Sequence, residues 1–178
     1  MRLKEGQKAV DFEVKDILGN EISLSDYKGK KLLLSFYRYA SCPLCNLRVN
    51  ELIQYEPIFR EKGMEMLAVF ESPKESINEY VGKQNAPFPI IADPKRKLYK
   101  LYGVETSVLG TLRAFLKPSR FKEAMNKGFK AGKSEGAKTL IPADFIIDAN
   151  LNISKSYYGK DIGDHMPIEM IMKEVLKK

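Results

Sequence analysis

Residues 31–63 constrain the fold more than any other stretch of the chain. LLLSF (residues 32–36) is an unbroken apolar run, the pattern of a strand covered on both faces. SCPLCNLRVNEL (residues 41–52) follows, and its Pro43 suits the first helical position, which makes Cys42 the N-cap and Cys45 the third helical residue. Leu44, Leu47, Leu52, Tyr55, Ile58 and Phe59 recur near helical spacing until Gly63 supplies a stop. MEMLAVF, from Met64, reads as a second buried strand. Strand, helix and strand in such short order predict a parallel βαβ unit with both cysteines at the start of its crossover helix.

The other elements follow from period and punctuation. The first 30 residues read as a hairpin, DFEVKD, a turn at Leu18-Gly19-Asn20, then EISL. Ser72, Pro73 and Glu75 form a capping-box start for a second helix, and Asp93-Pro94 starts a shorter one, LYKLYG, ending at Gly103. DFIID and NISKSYY read as strands joined at Ala149-Asn150, and Ile168, Ile171, Met172, Val175 and Leu176 form a final amphipathic helix behind Pro167. The expected class is α/β, with a mixed central sheet flanked by helices and an N-terminal β-hairpin extension. At 178 residues the chain suits one domain over 1–178.

Charge is uneven. Residues 113–138 hold eight Lys or Arg against two Glu, so a net +6 of the chain's +7 lies there. This basic helical insertion, spanning about 107–138, reads as a solvated lysine-rich helix and loop. A reading from another class makes the chain a redox-latched binding module that docks a partner or nucleic acid through 113–138. Against nucleic acid stand the lack of a recognised motif and the spacing of Phe115, Phe121 and Phe129, which reads as a packed helix face. No apolar run approaches the ~20 residues that span a bilayer, so no membrane partner is expected. The basic start MRLKEGQKAVDF has no apolar segment behind it, which points to the cytoplasm rather than secretion.

A cytoplasmic chain with only two cysteines, spaced CxxC, is expected to use them for chemistry. A structural zinc site needs four ligands, and His165 is the single histidine, so metal binding is weakly supported. At a helix N-terminus, unpaired N–H groups and the macrodipole favour a thiolate over a thiol. Arg38 and Arg48 could steady that thiolate or a peroxide, or be solvated surface charges. One thiol attacks a peroxide oxygen or a disulfide sulfur, and the other, three residues on, closes a disulfide without metal or organic cofactor.

Strand, CxxC, helix also opens the thioredoxin fold, and here a family resemblance enters. GQKAVDFEVKDILGNEISLSDYKGKKLLLSFYR, FPIIADPKRKLYKLYGV and PADFIIDANLNISKSYYGKDIGDHMP resemble the thioredoxin-like peroxiredoxins of the alkyl hydroperoxide reductase / thiol-specific antioxidant (AhpC/TSA) family, in its branch carrying CPxC. The resemblance implies a thioredoxin-like fold, a hydroperoxide or disulfide substrate, a thioredoxin-like or other dithiol reductant, and a homodimer. A rival within that fold is a protein disulfide reductase without significant peroxidase activity.

Two departures qualify the resemblance. The peroxidase motif of ordinary peroxiredoxins, Pro-x3-Thr/Ser-x2-Cys, would fall on Arg38 and Cys42 counting from Cys45, or on Ser35 and Tyr39 counting from Cys42, and neither register reproduces it. The arginine that those proteins place before the FIID strand falls on Pro142, which resembles the cis-proline facing the CxxC in thioredoxins; the alternative is a trans strand-entry proline. Cys42 is the expected attacking thiol, because an N-cap residue is the more exposed and its sulfur can receive helical N–H groups, whereas the peroxiredoxin register would choose Cys45. The candidate site is therefore Cys42, Cys45, Arg38 and Pro142. Around it, Ser41 either donates to the sulfur or turns the chain, Tyr37 and Tyr39 pack, and His165 is structural or solvated.

Overall fold

The computed structural model describes residues 1–114 and 118–177. β1 (Glu13–Lys15) and β2 (Glu21–Ser23) pair as an antiparallel hairpin whose turn uses Gly19 at φ +97°, a conformation open to glycine at little cost. β3 (Lys31–Phe36), α1 (Pro43–Glu61) and β4 (Met64–Phe70) form the expected βαβ unit, with β3 and β4 parallel from Lys31 opposite Met64 to Phe36 opposite Val69. α2 (Lys74–Glu79), β5 (Ile90–Ala92), α3 (Lys97–Leu101), α4 (Val108–Ala114) and α5 (Pro118–Asn126) follow. β6 (Ala143–Ile147), β7 (Ile153–Tyr158) and α6 (Ile168–Leu176) complete the chain.

The main sheet has the order β5-β4-β3-β6-β7, with β6 and β7 antiparallel to their neighbours. β3 lies at its centre because both of its faces are apolar. Leu32, Leu34 and Phe36 turn to one layer, where Phe36 meets Tyr99, Tyr102 and Phe145 at centroid distances of 5.1, 5.3 and 5.9 Å. Leu33 turns to the other layer, beneath α1, together with the side chains of both cysteines.

Four expectations need correction. β5 was not anticipated: three residues between Pro89 and Pro94 are too few to show a period, yet they pair in parallel with β4. α2 has no capping box, because the Ser72 hydroxyl accepts from the Ala40 N–H at 2.9 Å instead and Pro73 takes the cap position. The basic insertion holds two short helices and then a helix-free stretch at 127–139 rather than one helix and a loop. Phe121 packs against the cysteine-side core and Phe129 is half-buried beyond α5, so they do not share one helix face; Phe115 lies outside the described residues.

The aromatic cluster yields a test of the packing account. Phe36→Ala removes a fully buried ring in contact with three others, so a loss of about 3–5 kcal/mol in denaturant unfolding is expected. A loss below about 1 kcal/mol would show that this layer repacks freely.

Candidate active site

The β3 to α1 turn is held by its own backbone before any chemistry is considered. The Tyr37 N–H donates to the Val69 carbonyl at 2.8 Å, and the Glu71 N–H donates to the Arg38 carbonyl at 3.2 Å, so the ladder with β4 continues past the end of β3. Asn46, one residue after Cys45, turns its side-chain N–H back onto the carbonyls of Ala40 and Cys42 at 2.7 and 3.0 Å, and accepts from Gln84 at 3.0 Å. Pro43 occupies the first helical position with Cys42 as N-cap, as the sequence predicts.

Both sulfurs stand on this frame as free cysteines. Arg38 donates from Nη1 to the Cys42 Sγ at 3.3 Å and from Nη2 to the Lys138 carbonyl at 2.5 Å. The hydrogen bond from the Cys45 thiol is the largest influence pulling Cys42 down, to about 6; burial opposes it, and Arg38 with the N–H groups of Cys45 and Leu44 adds to it. The sulfur closes no ordinary cap hydrogen bond, so those N–H groups act as aimed dipoles rather than a fixed cap. Cys45 moves the other way: burial, then its hydrogen bond to Cys42 and the charge there, hold it well above the usual thiol range. The arrangement gives one thiolate and one thiol at neutral pH.

Three expectations fail here for physical reasons. Cys42 is not the more exposed cysteine, since each is 1% exposed. The cover is the segment 130–138: Ser41 donates its hydroxyl to the Lys133 carbonyl at 2.8 Å, Arg38 reaches Lys138, and the Ala137 N–H donates to Glu71 Oε2 at 2.9 Å. Gly132 and Gly136 allow this approach, because a Cβ on either would overlap Tyr80 or Glu71. Arg48 is buried, not solvated, and spans Glu51 at 3.0 Å and the Met166 carbonyl at 2.6 Å. No cis peptide occurs among the described residues, so Pro142 enters β6 through a trans bond, buried, with its carbonyl accepting from the Gly159 N–H at 3.0 Å.

The structure brings Cys42, Cys45 and Arg38 together, with Ser41 anchoring the covering segment. Tyr37 is buried and stacks on Phe70 at 4.6 Å, while Tyr39 carries the Arg38 guanidinium over its ring at 4.9 Å. His165 is buried and bonded through Nδ1 to Asp144, at 3.1 and 3.0 Å to its two oxygens. Asp144 is the residue that sequence reasoning passed over. Its signal was a single carboxylate in the otherwise apolar run ADFII, every residue of which is buried.

Comparison with known proteins places this geometry. A model of the AhpC/TSA family matches residues 5–156. The chain belongs to the AhpC/TSA family. Peroxiredoxin Bcp of Bacillus subtilis is 32% identical over 104 residues, 58% of this chain and 66% of that protein. Thiol-disulfide oxidoreductase ResA of Geobacillus kaustophilus is 33% identical over 100 residues, 56% of this chain and 57% of that protein. The chain thus spans less than two thirds of the length of these relatives. The crystal structure of peroxidoxin BcpB from Mycobacterium tuberculosis superposes with a TM-score of 0.69 at 16% identity, covering 98% of this chain and 95% of that one, which establishes the thioredoxin-like fold. Among the described residues no helix is long and apolar enough to cross a membrane.

The charge arrangement predicts a pH profile. Alkylation of Cys42 by iodoacetamide should rise through a midpoint at about 6 in the reduced protein. Arg38→Met and Cys45→Ala each remove a group that favours the thiolate, so each should move the midpoint upward. Linkage gives the matching sign for stability: it rises with pH between the native value of Cys42 and the unfolded thiol value of about 8.5, and above that the raised Cys45 works in the opposite direction. An unmoved midpoint in Arg38→Met would show that the guanidinium does not hold the thiolate.

Proposed function

We propose that the protein is a thiol-dependent oxidoreductase, a peroxiredoxin-like peroxidase that reduces hydroperoxides through Cys42 and Cys45. The observation that carries this is the buried Arg38 guanidinium at 3.3 Å from the Cys42 sulfur, with a second thiol hydrogen-bonded to it. The Cys42 thiolate attacks the terminal peroxide oxygen, the O–O bond breaks, and the alkoxide leaves with a proton as the alcohol. Cys42 is then a sulfenic acid, Cys45 attacks its sulfur, and water leaves as the disulfide closes. A dithiol protein of thioredoxin type in the cytoplasm returns the pair to thiols.

The second reading, a protein disulfide reductase, has its own support. The Pro-x3-Thr/Ser-x2-Cys motif is missing, and a CxxC at a helix N-terminus suits attack on a disulfide sulfur as well as on a peroxide. The similarity to ResA, a thiol-disulfide oxidoreductase by name, supports it as well.

Stopped-flow oxidation of the fully reduced protein by hydrogen peroxide separates the two. Peroxidase chemistry predicts fast thiol loss that vanishes in Cys42→Ser, with a sulfenic acid trapped in Cys45→Ser and detected by mass. If the wild type reacts no faster than an ordinary exposed thiol while it still reduces a small disulfide, the peroxidase reading is wrong and the reductase reading stands.

A further inference from the structure

α4 packs in the reverse sense of an ordinary surface helix. Its inward side is Gly110 and Ala114, both buried, while Val108, Leu109 and Leu112 stand outward at 68, 59 and 59% exposure. At spacings of three and four residues the two leucines and the valine share one side of the helix. The helix cannot roll to bury them. A Cβ on Gly110 would lie 2.7 Å from Ile141 Cδ1 and 3.0 Å from the Lys160 carbonyl oxygen, so no larger side chain fits on the inward side. Its start is pinned as well: the Ser107 hydroxyl accepts from the Gly110 N–H at 3.0 Å, and the Ser107 N–H donates to the Thr139 carbonyl at 2.7 Å. A close-packed backbone thus holds a contiguous apolar face outward, and such a face marks an interaction surface.

The rim of this face is basic. Arg113 follows Leu112 on the exposed side of α4, Lys160 lies against Gly110 through its backbone, and Lys138 precedes Thr139, the partner of Ser107; all three are exposed. α4 has no acidic residue, and Glu105, just before it, is paired with Arg2 at 3.4 Å. The net +6 of residues 113–138 extends this field, so the partner is anionic.

A second copy of the chain fits this face poorly. A two-fold contact sets the patch against itself, cations facing cations, and a helix of seven residues, about 10 Å long, falls short of the roughly 800 Å² per partner of a stable interface. Protein interfaces are anchored by aromatic side chains, whereas this face holds valine and leucine. An anionic bilayer asks for no groove and no anchor of fixed shape. It takes apolar side chains at the acyl boundary and cations at the head groups, and the face supplies both.

We propose that α4 is a membrane-surface contact, lying on an anionic lipid bilayer with Val108, Leu109 and Leu112 inserted at the headgroup boundary and Arg113, Lys138 and Lys160 against the lipid phosphates. The helix is too short to span, and among the described residues no helix does so. Neither cysteine takes part, so the contact holds for the peroxidase and the reductase reading alike.

The chain has no tryptophan, so Leu112→Trp places a single indole on the face without entering the core. This variant and the wild type are floated with vesicles of phosphatidylcholine and with vesicles that also contain phosphatidylglycerol. The expected result is flotation with the anionic vesicles only, weakened by salt, together with a blue-shifted indole emission that lipid brominated along its acyl chain quenches. Leu109→Ser with Leu112→Ser is expected to weaken the wild-type partition by about 10-fold or more, because two inserted side chains return to water. Arg113→Glu with Lys160→Glu is expected to weaken it by a similar factor, about 10-fold or more. Flotation that survives the two serines overturns the assignment and leaves adsorption through the basic segment alone. An indole that stays in water while the protein floats overturns it too. A wild type that floats with neither vesicle rules out the bilayer, and sedimentation equilibrium then tells a second copy, seen as a dimer that the two serines dissolve, from a protein partner.

Discussion

A guanidinium that is 3% exposed needs an anion, and the anion that Arg38 has is the Cys42 thiolate. Much of the site can be traced to this requirement. It adds to the hydrogen bond from Cys45, the larger influence, in placing the charge on Cys42, whose sulfur the guanidinium reaches, while Cys45 keeps its proton. It also sets a direction for the redox couple. Oxidation removes the thiolate and leaves the arginine with the Lys138 carbonyl, so the reduced form is the better satisfied one. A dithiol whose reduced form is stabilised makes a more oxidising disulfide.

The sheet supplies what this pair stands on. β3 brings Arg38 and the cysteine turn to the carboxyl end of two parallel strands, while β6, running antiparallel beside it, carries Asp144 to the same layer opposite Ser35. Strand alternation then places Ser35 and Tyr37 beneath α1 while Leu34 and Phe36 face the opposite aromatic layer. The cysteines and the Asp144–His165 pair thus share one side of the sheet, with Tyr37 between the cysteine cluster and the imidazole, through elements far apart in sequence whose placement depends on the register between β3 and β6.

What was legible in the sequence was what depends on local chemistry. The Pro43 helix start, the two buried strands of the βαβ unit and the CxxC at a helix N-terminus are written in neighbouring residues, and the structure has them where the pattern places them. What was illegible depends on what arrives from elsewhere. Ser72 carried a cap signal but was claimed by the Ala40 N–H across the active-site turn. Arg48 looks like a surface charge until Met166, over a hundred residues on, supplies a carbonyl that makes its burial tolerable. Cys42 occupies an N-cap, which usually means exposure, yet a remote segment closes over it. Asp144 stood in plain view as a charge in an apolar strand, but its meaning required His165 at its side.

The cover formed by residues 130–138 changes what a measured rate means for this protein. An open thiolate reacts whenever a reagent collides with it, so its rate grows with reagent concentration without limit. A thiolate under a segment fastened by Ser41, Arg38 and Glu71 reacts only during the intervals when those bonds are undone. At low reagent concentration the observed rate reports how often the cover stands open, and at high concentration it levels off at the frequency of opening itself. The hydrogen bonds of the cover thereby act as a clock for the sulfur beneath them.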